Sequence, residues 1–200
     1  MAEGYLTNSY RLVVIGGSAG SLDVVLKVLP KLKRGSTISI IIVMHRKNTY
    51  DFSLSNLLST KTNWIVVEAD EKQRLMPDCI YLAPADYHLL IENDHTLSLD
   101  VSEKVNYSRP SIDVTFESAA DIYGSELAVV LLSGANDDGV EGMKKVKAMG
   151  GLTIAQDPGT AAVAYMPQHA VDNVVVDYIM APDEIGDFIN KLGAPKTSNR

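Results

Sequence analysis

The chain has a single cysteine, Cys79, among its 200 residues. That excludes an internal disulfide and any metal cluster built on several cysteines. Long apolar runs are missing as well. Ile40–Met44 and Leu127–Leu132 are the longest, far short of the roughly 18 residues a membrane span needs. The opening Met-Ala-Glu-Gly-Tyr-Leu lacks the basic start and apolar stretch of a secretion signal. A cytoplasmic protein without membrane insertion is the expectation. Basic residues number 18 against 25 acidic ones, for a formal net charge of -7, and they form no stripe. A polyanion is repelled by such a chain on average, so nucleic acid is not an expected partner. What is present is ordinary for a soluble globular chain: 46% hydrophobic and 22% charged residues. A chain of this length buries about 70% of its unfolded surface and makes one domain.

Short apolar runs alternate with helical patterns. Arg11–Gly16 is β-branched and strand-like, and Leu22, Val25, Leu26 and Leu29 then recur at helical spacing until Pro30 ends or kinks the helix. Ile38–Met44 is uniformly apolar, as a strand covered on both faces must be. A short helix near 54–58, strands at Trp64–Glu68 and Cys79–Ala83, and a hairpin around Asn93–Thr96 follow. Asp113–Tyr123 reads as a helix and Leu127–Leu132 as a buried strand; Pro182 opens the last helix and Gly193 closes it. The alternation predicts an α/β fold with a doubly wound, mainly parallel sheet, helices on both faces and one β-hairpin. Ligands of such sheets bind beyond the carboxyl ends of the strands.

Three strand ends carry reactive side chains. Gly16-Gly17-Ser18-Ala19-Gly20 fits the G-x-S-x-G elbow that exposes a serine on a sharp turn. The helix start behind it offers N–H groups to an oxyanion. The competing reading is a structural turn in which Ser18 or Ser21 caps the helix; Ser21 alone could do so, with Asp23 in the first turn. The glycines at 16, 17 and 20 do not fit the dinucleotide pattern G-x-G-x-x-G. His45 ends the second main strand. Asp137 and Asp138 follow Leu127–Leu132 in a Gly-flanked loop, where Asp138 and Glu141 also resemble a capping box. No histidine pair shows metal-ligand spacing, so no metal is expected.

Hydroxyl, imidazole and carboxylate at neighbouring strand ends are the parts of a Ser-His-Asp triad, which is defined by geometry and not by chain order. Ser18, His45 and Asp138 form one such set. Ser18, Asp138 and His169 form a competing set in the α/β-hydrolase order. Against it, the elbow follows the first strand, and His169 lies just after Pro167 in a helical stretch. A phosphate-binding or non-catalytic module on the same scaffold is the alternative from a different class.

Several spaced motifs together resemble the catalytic domain of the protein-glutamate methylesterases of bacterial chemotaxis (CheB-type), from about residue 11 to 193. They are the elbow, His45, Ala83-Pro-x-x-x-His88, Arg109-Pro-Ser-x-Asp113, Gly134–Met143, Ala155-Gln-Asp157 and Met166-Pro167. The resemblance implies a methylesterase domain over 11–193, with residues 1–10 as an extension and 194–200 as a flexible tail. It implies Ser18 as nucleophile, His45 as base and Asp138 as its orienter. Backbone N–H groups of Ala19, Gly20 and Ala135 would form the oxyanion site, and Arg109 would hold an acidic neighbour of the substrate unless it only makes a structural salt bridge. The implied reaction hydrolyses glutamate γ-methyl esters on methyl-accepting chemotaxis receptors, releasing methanol, with glutamine deamidation in some members and no cofactor. Family members usually carry an N-terminal receiver domain; without one, phosphorylation control in cis is not expected. Ala19 replaces a common Thr, and Gly134-Ala135-Asn136 replaces the family's G-M-G.

Overall fold

The structure, a computed structural model, describes residues 9–46 and 53–194. Most of the expected extension and tail lies outside the described residues. The elements in chain order are β1 Leu12–Gly17, α1 Ser21–Val28, β2 Ser39–Met44, α2 Ser53–Ser59, β3 Ile65–Glu68, β4 Cys79–Leu82, β5 His88–Ile91 and β6 Leu97–Asp100. They continue with α3 Ile112–Tyr123, β7 Leu127–Leu131, α4 Val140–Ala148, β8 Leu152–Gln156, α5 Tyr165–Asn173, β9 Tyr178–Met180 and α6 Pro182–Leu192.

Seven strands form one sheet in the order β3-β4-β2-β1-β7-β8-β9, and every pair in it is parallel. β5 and β6 make the separate antiparallel hairpin. The uniform apolarity of the central strands follows from burial on both faces. Val13 and Ile15 of β1 point into one cluster with Val25 and Leu29 around α1 and Ile185 and Ile189 of α6. Leu12 and Val14 point into the other, with Phe116 of α3, Met143 of α4 and Met166 of α5. Each such fully buried side chain contributes about 1.5–3 kcal/mol. Pro30 does what its missing N–H requires: α1 stops at Val28 and a 3₁₀ turn, Leu29–Lys31, takes over.

β1 has β2 on one side and β7 on the other. The chain leaves β1 through α1 toward β2, while the second half of the sheet grows outward from β7. The carboxyl end of β1 is therefore the topological switch point, where an open α/β sheet leaves a crevice. Gly17 pairs with Met44 and Gly16 with Leu131. Ser18, His45 and the 133–139 loop thus emerge side by side at that crevice.

Candidate active site

The Ser18 turn is held from both flanks. Ser18 N–H donates to the Ser133 carbonyl (2.9 Å), and His45 N–H donates to the Gly17 carbonyl (3.2 Å). The Ser133 hydroxyl donates to the Ala19 carbonyl at 2.7 Å. The turn needs its glycines: a Cβ on Gly17 would stand 2.4 Å from the Ser21 Cβ, and Gly20 has φ +80°. Gly20, not Ser21, is the N-cap of α1. The Ser21 hydroxyl turns back and donates to the Ser18 carbonyl at 2.6 Å. The serine-cap alternative is thereby corrected: Ser21 tightens the elbow and leaves the helix N-terminus open.

His45 Nε2 lies 2.7 Å from Asp138 Oδ2. Asp138 is fully buried, and its carboxylate accepts from four donors. Ile112 N–H (2.7 Å) shares Oδ2 with the imidazole, while the Ser111 hydroxyl (2.8 Å) and Asp113 N–H (3.0 Å) reach Oδ1. Burial alone would push this carboxyl up, but the bonds from His45 and the start of α3 hold it below the ordinary range. An ionised Asp138 only accepts, so Nε2 carries the imidazole proton and Nδ1 presents the lone pair. Nδ1 faces the Ser108 hydroxyl at 3.3 Å, which in turn accepts from Asn136 Nδ2 at 3.3 Å.

The capping box expected of Asp138 and Glu141 does not form. Gly139, at φ +100°, is the N-cap of α4, and Glu141 pairs with Lys144 at 2.6 Å. The α4 donors go to Asp113 instead: Gly139 N–H (2.8 Å) and Gly142 N–H (2.7 Å) both reach its Oδ1. Asn106 Nδ2 donates to Asp113 Oδ2 at 3.0 Å. Burial first, and the nearby Asp138 charge, push the Asp113 carboxyl up to about 7 against the two α4 amides. His88 is buried behind this cluster, its Nδ1 accepting from Ser111 N–H at 3.1 Å and its Nε2 3.0 Å from the Glu103 carbonyl.

The other expected residues fall as follows. His169 on α5 stacks on Tyr165 and lies 3.9 Å from Asp137, the exposed neighbour of Asp138. The two acids after β7 therefore serve different histidines, and the competing triad is not assembled. Arg109 lines the same depression as His45, but its guanidinium donates to the Val101 (2.7 Å) and Ser102 (2.8 Å) carbonyls and pairs with no carboxylate among the described residues. Ala19 and Ala135 are exposed at the crevice, and Ala135 lines a second depression with Asn106, Tyr107 and Tyr165. Asp113, Ser111 and His88 were visible in sequence only as parts of the Arg109–Asp113 and Ala83–His88 segments, with no role attached. Ser108 carried no signal.

A parallel α/β protein with serine, histidine and a buried, ionised aspartate at its switch point is the class that this fold and site define. Residues 13–189 match the family model of the CheB methylesterase. A provisionally named protein-glutamate methylesterase/protein-glutamine glutaminase of Leptospira interrogans is 42% identical over 184 residues, covering 92% of this chain and 95% of that protein. The protein-glutamate methylesterase/protein-glutamine glutaminase of Thermotoga maritima is 34% identical over 190 residues, covering 92% of this chain and 54% of that longer protein. The crystal structure of the Thermotoga maritima CheB methylesterase catalytic domain superposes with a TM-score of 0.87 at 32% identity, over 92% of this chain and all of that one. The chain belongs to the CheB methylesterase family.

Proposed function

We propose that the chain hydrolyses the γ-methyl esters of glutamate residues on chemoreceptors, with Ser18, His45 and Asp138 as its catalytic set. The observation that carries this reading is the 2.7 Å pair of the half-buried His45 with the buried Asp138 beside the Ser18 elbow. In the first half-reaction His45 Nδ1 takes the Ser18 proton while Oγ bonds to the ester carbonyl carbon. The C–O bond to the methoxy group then breaks, and the imidazolium returns the proton to it as methanol. In the second half-reaction water adds to the acyl-serine while Nδ1 takes its proton; the acyl C–Oγ bond then breaks, Nδ1 returns the proton to Ser18 Oγ, and glutamate and free Ser18 result.

Asp138 holds the ring with Nε2 protonated and stabilises the imidazolium. Its three further donors keep it ionised in the interior, so the proton stays on His45. The oxyanion needs donors at the same end of the sheet. Ser18 and Gly134 N–H groups are already committed to the Ser133 (2.9 Å) and Val163 (3.1 Å) carbonyls. Ala19, Gly20 and Ala135 are the candidates that remain around Ser18. The curated relatives are also named glutaminases. Deamidation would follow the same path with ammonia as the leaving group.

The test is methanol release from a methylated chemoreceptor cytoplasmic fragment. Release that depends on the added chain supports the reading. A chain that binds the fragment without releasing methanol would instead be a non-catalytic module.

A further inference from the structure

Over the candidate site stands a two-residue turn whose sequence is poor for folding. Val105 and Ser108 exchange both backbone hydrogen bonds, at 3.2 and 2.8 Å. Between them Asn106 and Tyr107 have φ +49° and +61°. Positive φ at both positions is what a type I′ turn demands, and Asn-Gly is the sequence that satisfies it. A tyrosine in the second position pays on the order of 1–2 kcal/mol for the left-handed conformation. Burial returns nothing, because Tyr107 is 97% exposed. The turn is nonetheless seated on the site: Asn106 bonds Asp113, and Ser108 contacts both His45 and Asn136.

Tyr107 stands between two depressions and lines both. The second holds Ala135 and Tyr165. The first holds His45 with Arg46, Lys104 and Arg109 against one carboxylate, Asp86, a local excess of positive charge in a chain of net charge -7. Arg46 is paired with Glu68, and Arg109 with backbone carbonyls. Of these three cations, Lys104 alone has no partner among the described residues, which leaves it placed to meet one.

We propose that the Asn106–Tyr107 turn is the docking element for the protein substrate. Tyr107 is its aromatic anchor, and the cationic depression beside it selects an acidic segment flanking the methylated glutamate. This rests on the methylesterase reading and adds to it the class of surface the enzyme recognises. Exposed aromatics that fold gains nothing from are the residues that anchor interfaces, and a charge patch of opposite sign sets specificity and encounter rate.

The experiment compares steady-state kinetics on a methylated acidic receptor fragment and on 4-nitrophenyl acetate, for the wild type, Tyr107→Gly, Tyr107→Phe and Lys104→Glu. For Tyr107→Gly, KM on the fragment should rise roughly 10- to 100-fold, the loss of one anchor, with kcat changing less than about threefold. Its denaturation midpoint should rise, since glycine relieves the left-handed strain. Tyr107→Phe should restore KM to within about threefold, because the ring and not the hydroxyl is the anchor. Lys104→Glu should also raise KM, most strongly at low salt. If KM on the fragment stays within about twofold for both Tyr107→Gly and Lys104→Glu, less than one anchor is worth, the proposal is overturned. An equal loss on the small ester also overturns it, since the turn would then serve the chemistry. A wild-type chain that releases no methanol fails the methylesterase reading itself, before any variant is compared, and this proposal with it.

Discussion

Asp113 and Asp138 each cap the helix that belongs to the other. Asp113, in the first turn of α3, accepts the Gly139 and Gly142 N–H groups at the start of α4; Asp138, just before α4, accepts the Ile112 and Asp113 N–H groups at the start of α3. The two helix N-termini face each other, and both positive ends are met by carboxylates. The exchange fixes the height and rotation of Asp138, and through it the ring of His45.

This changes what Asp138→Asn does. An asparagine that capped its own helix would leave the fold intact. Here four donors converge on the carboxylate, and an amide NH₂ in place of one oxygen would face two of them. Asp138→Asn is expected to lose about 1–3 kcal/mol of stability, the cost of buried donors left unpaired. It should also lose roughly 10⁴-fold in turnover, by enforcing the wrong tautomer. Asp137→Asn should change turnover by less than about tenfold, because an exposed charge acts weakly through solvent. Denaturant melts and methanol release on both variants check this, and an inactive Asp137→Asn beside an active Asp138→Asn would move the assignment by one residue.

The same pair gives stability a pH dependence. The folded Asp113 carboxyl, at about 7, holds its proton far above the ordinary 3.8. Between those values the folded state binds more protons than the unfolded one, so stability falls as pH rises from about 4 to about 7. Asp138 has the opposite sign: its carboxyl lies below the ordinary value, and its contribution is lost as pH falls below that range. Asp113→Asn cannot titrate. The denaturation midpoint of the wild type should drop between pH 4.5 and 8 by more than that of Asp113→Asn. Parallel pH profiles for the two proteins would show that Asp113 is ionised throughout.

The two histidines at the crevice separate cleanly. His45→Ala should be nearly inactive, and His169→Ala, whose ring meets Asp137 and Tyr165, should keep most of its turnover. In the free wild-type protein, heteronuclear NMR should find the neutral His45 ring protonated on Nε2, since that nitrogen donates to Asp138 at 2.7 Å. A proton on Nδ1 would contradict the ring orientation on which the mechanism depends.

The architecture was legible because burial on both faces writes continuous apolar runs, as in Ile40–Met44, and a parallel sheet puts functional groups at strand ends. Ser18, His45 and Asp138 could therefore be named as a candidate set from strand-end positions together with the family motifs. The contacts that arm them could not. Asp113 and Asp138 meet their amides across about 25 residues of chain, and Ser108 reaches His45 across 63. Local capping rules assigned Asp138 to its own helix and Ser21 to α1. Packing overrode both, because the α3 and α4 N-termini abut and the Ser18 carbonyl lies within reach of the Ser21 hydroxyl. The Asn106–Tyr107 turn was unreadable for a plainer reason: without a glycine in its second position it breaks the usual signature.

In the proposed mechanism Ser18 is acylated, and His45 and Asp138 drive both half-reactions. Methanol release from one preparation of methylated receptor fragment, by the wild type and by Ser18→Ala, tests it most directly. Ser18 is partly exposed on its turn, so the variant should fold as the wild type does. Steady release by the wild type and none above the uncatalysed background for Ser18→Ala is the expected result. Equal release by the two proteins would contradict it.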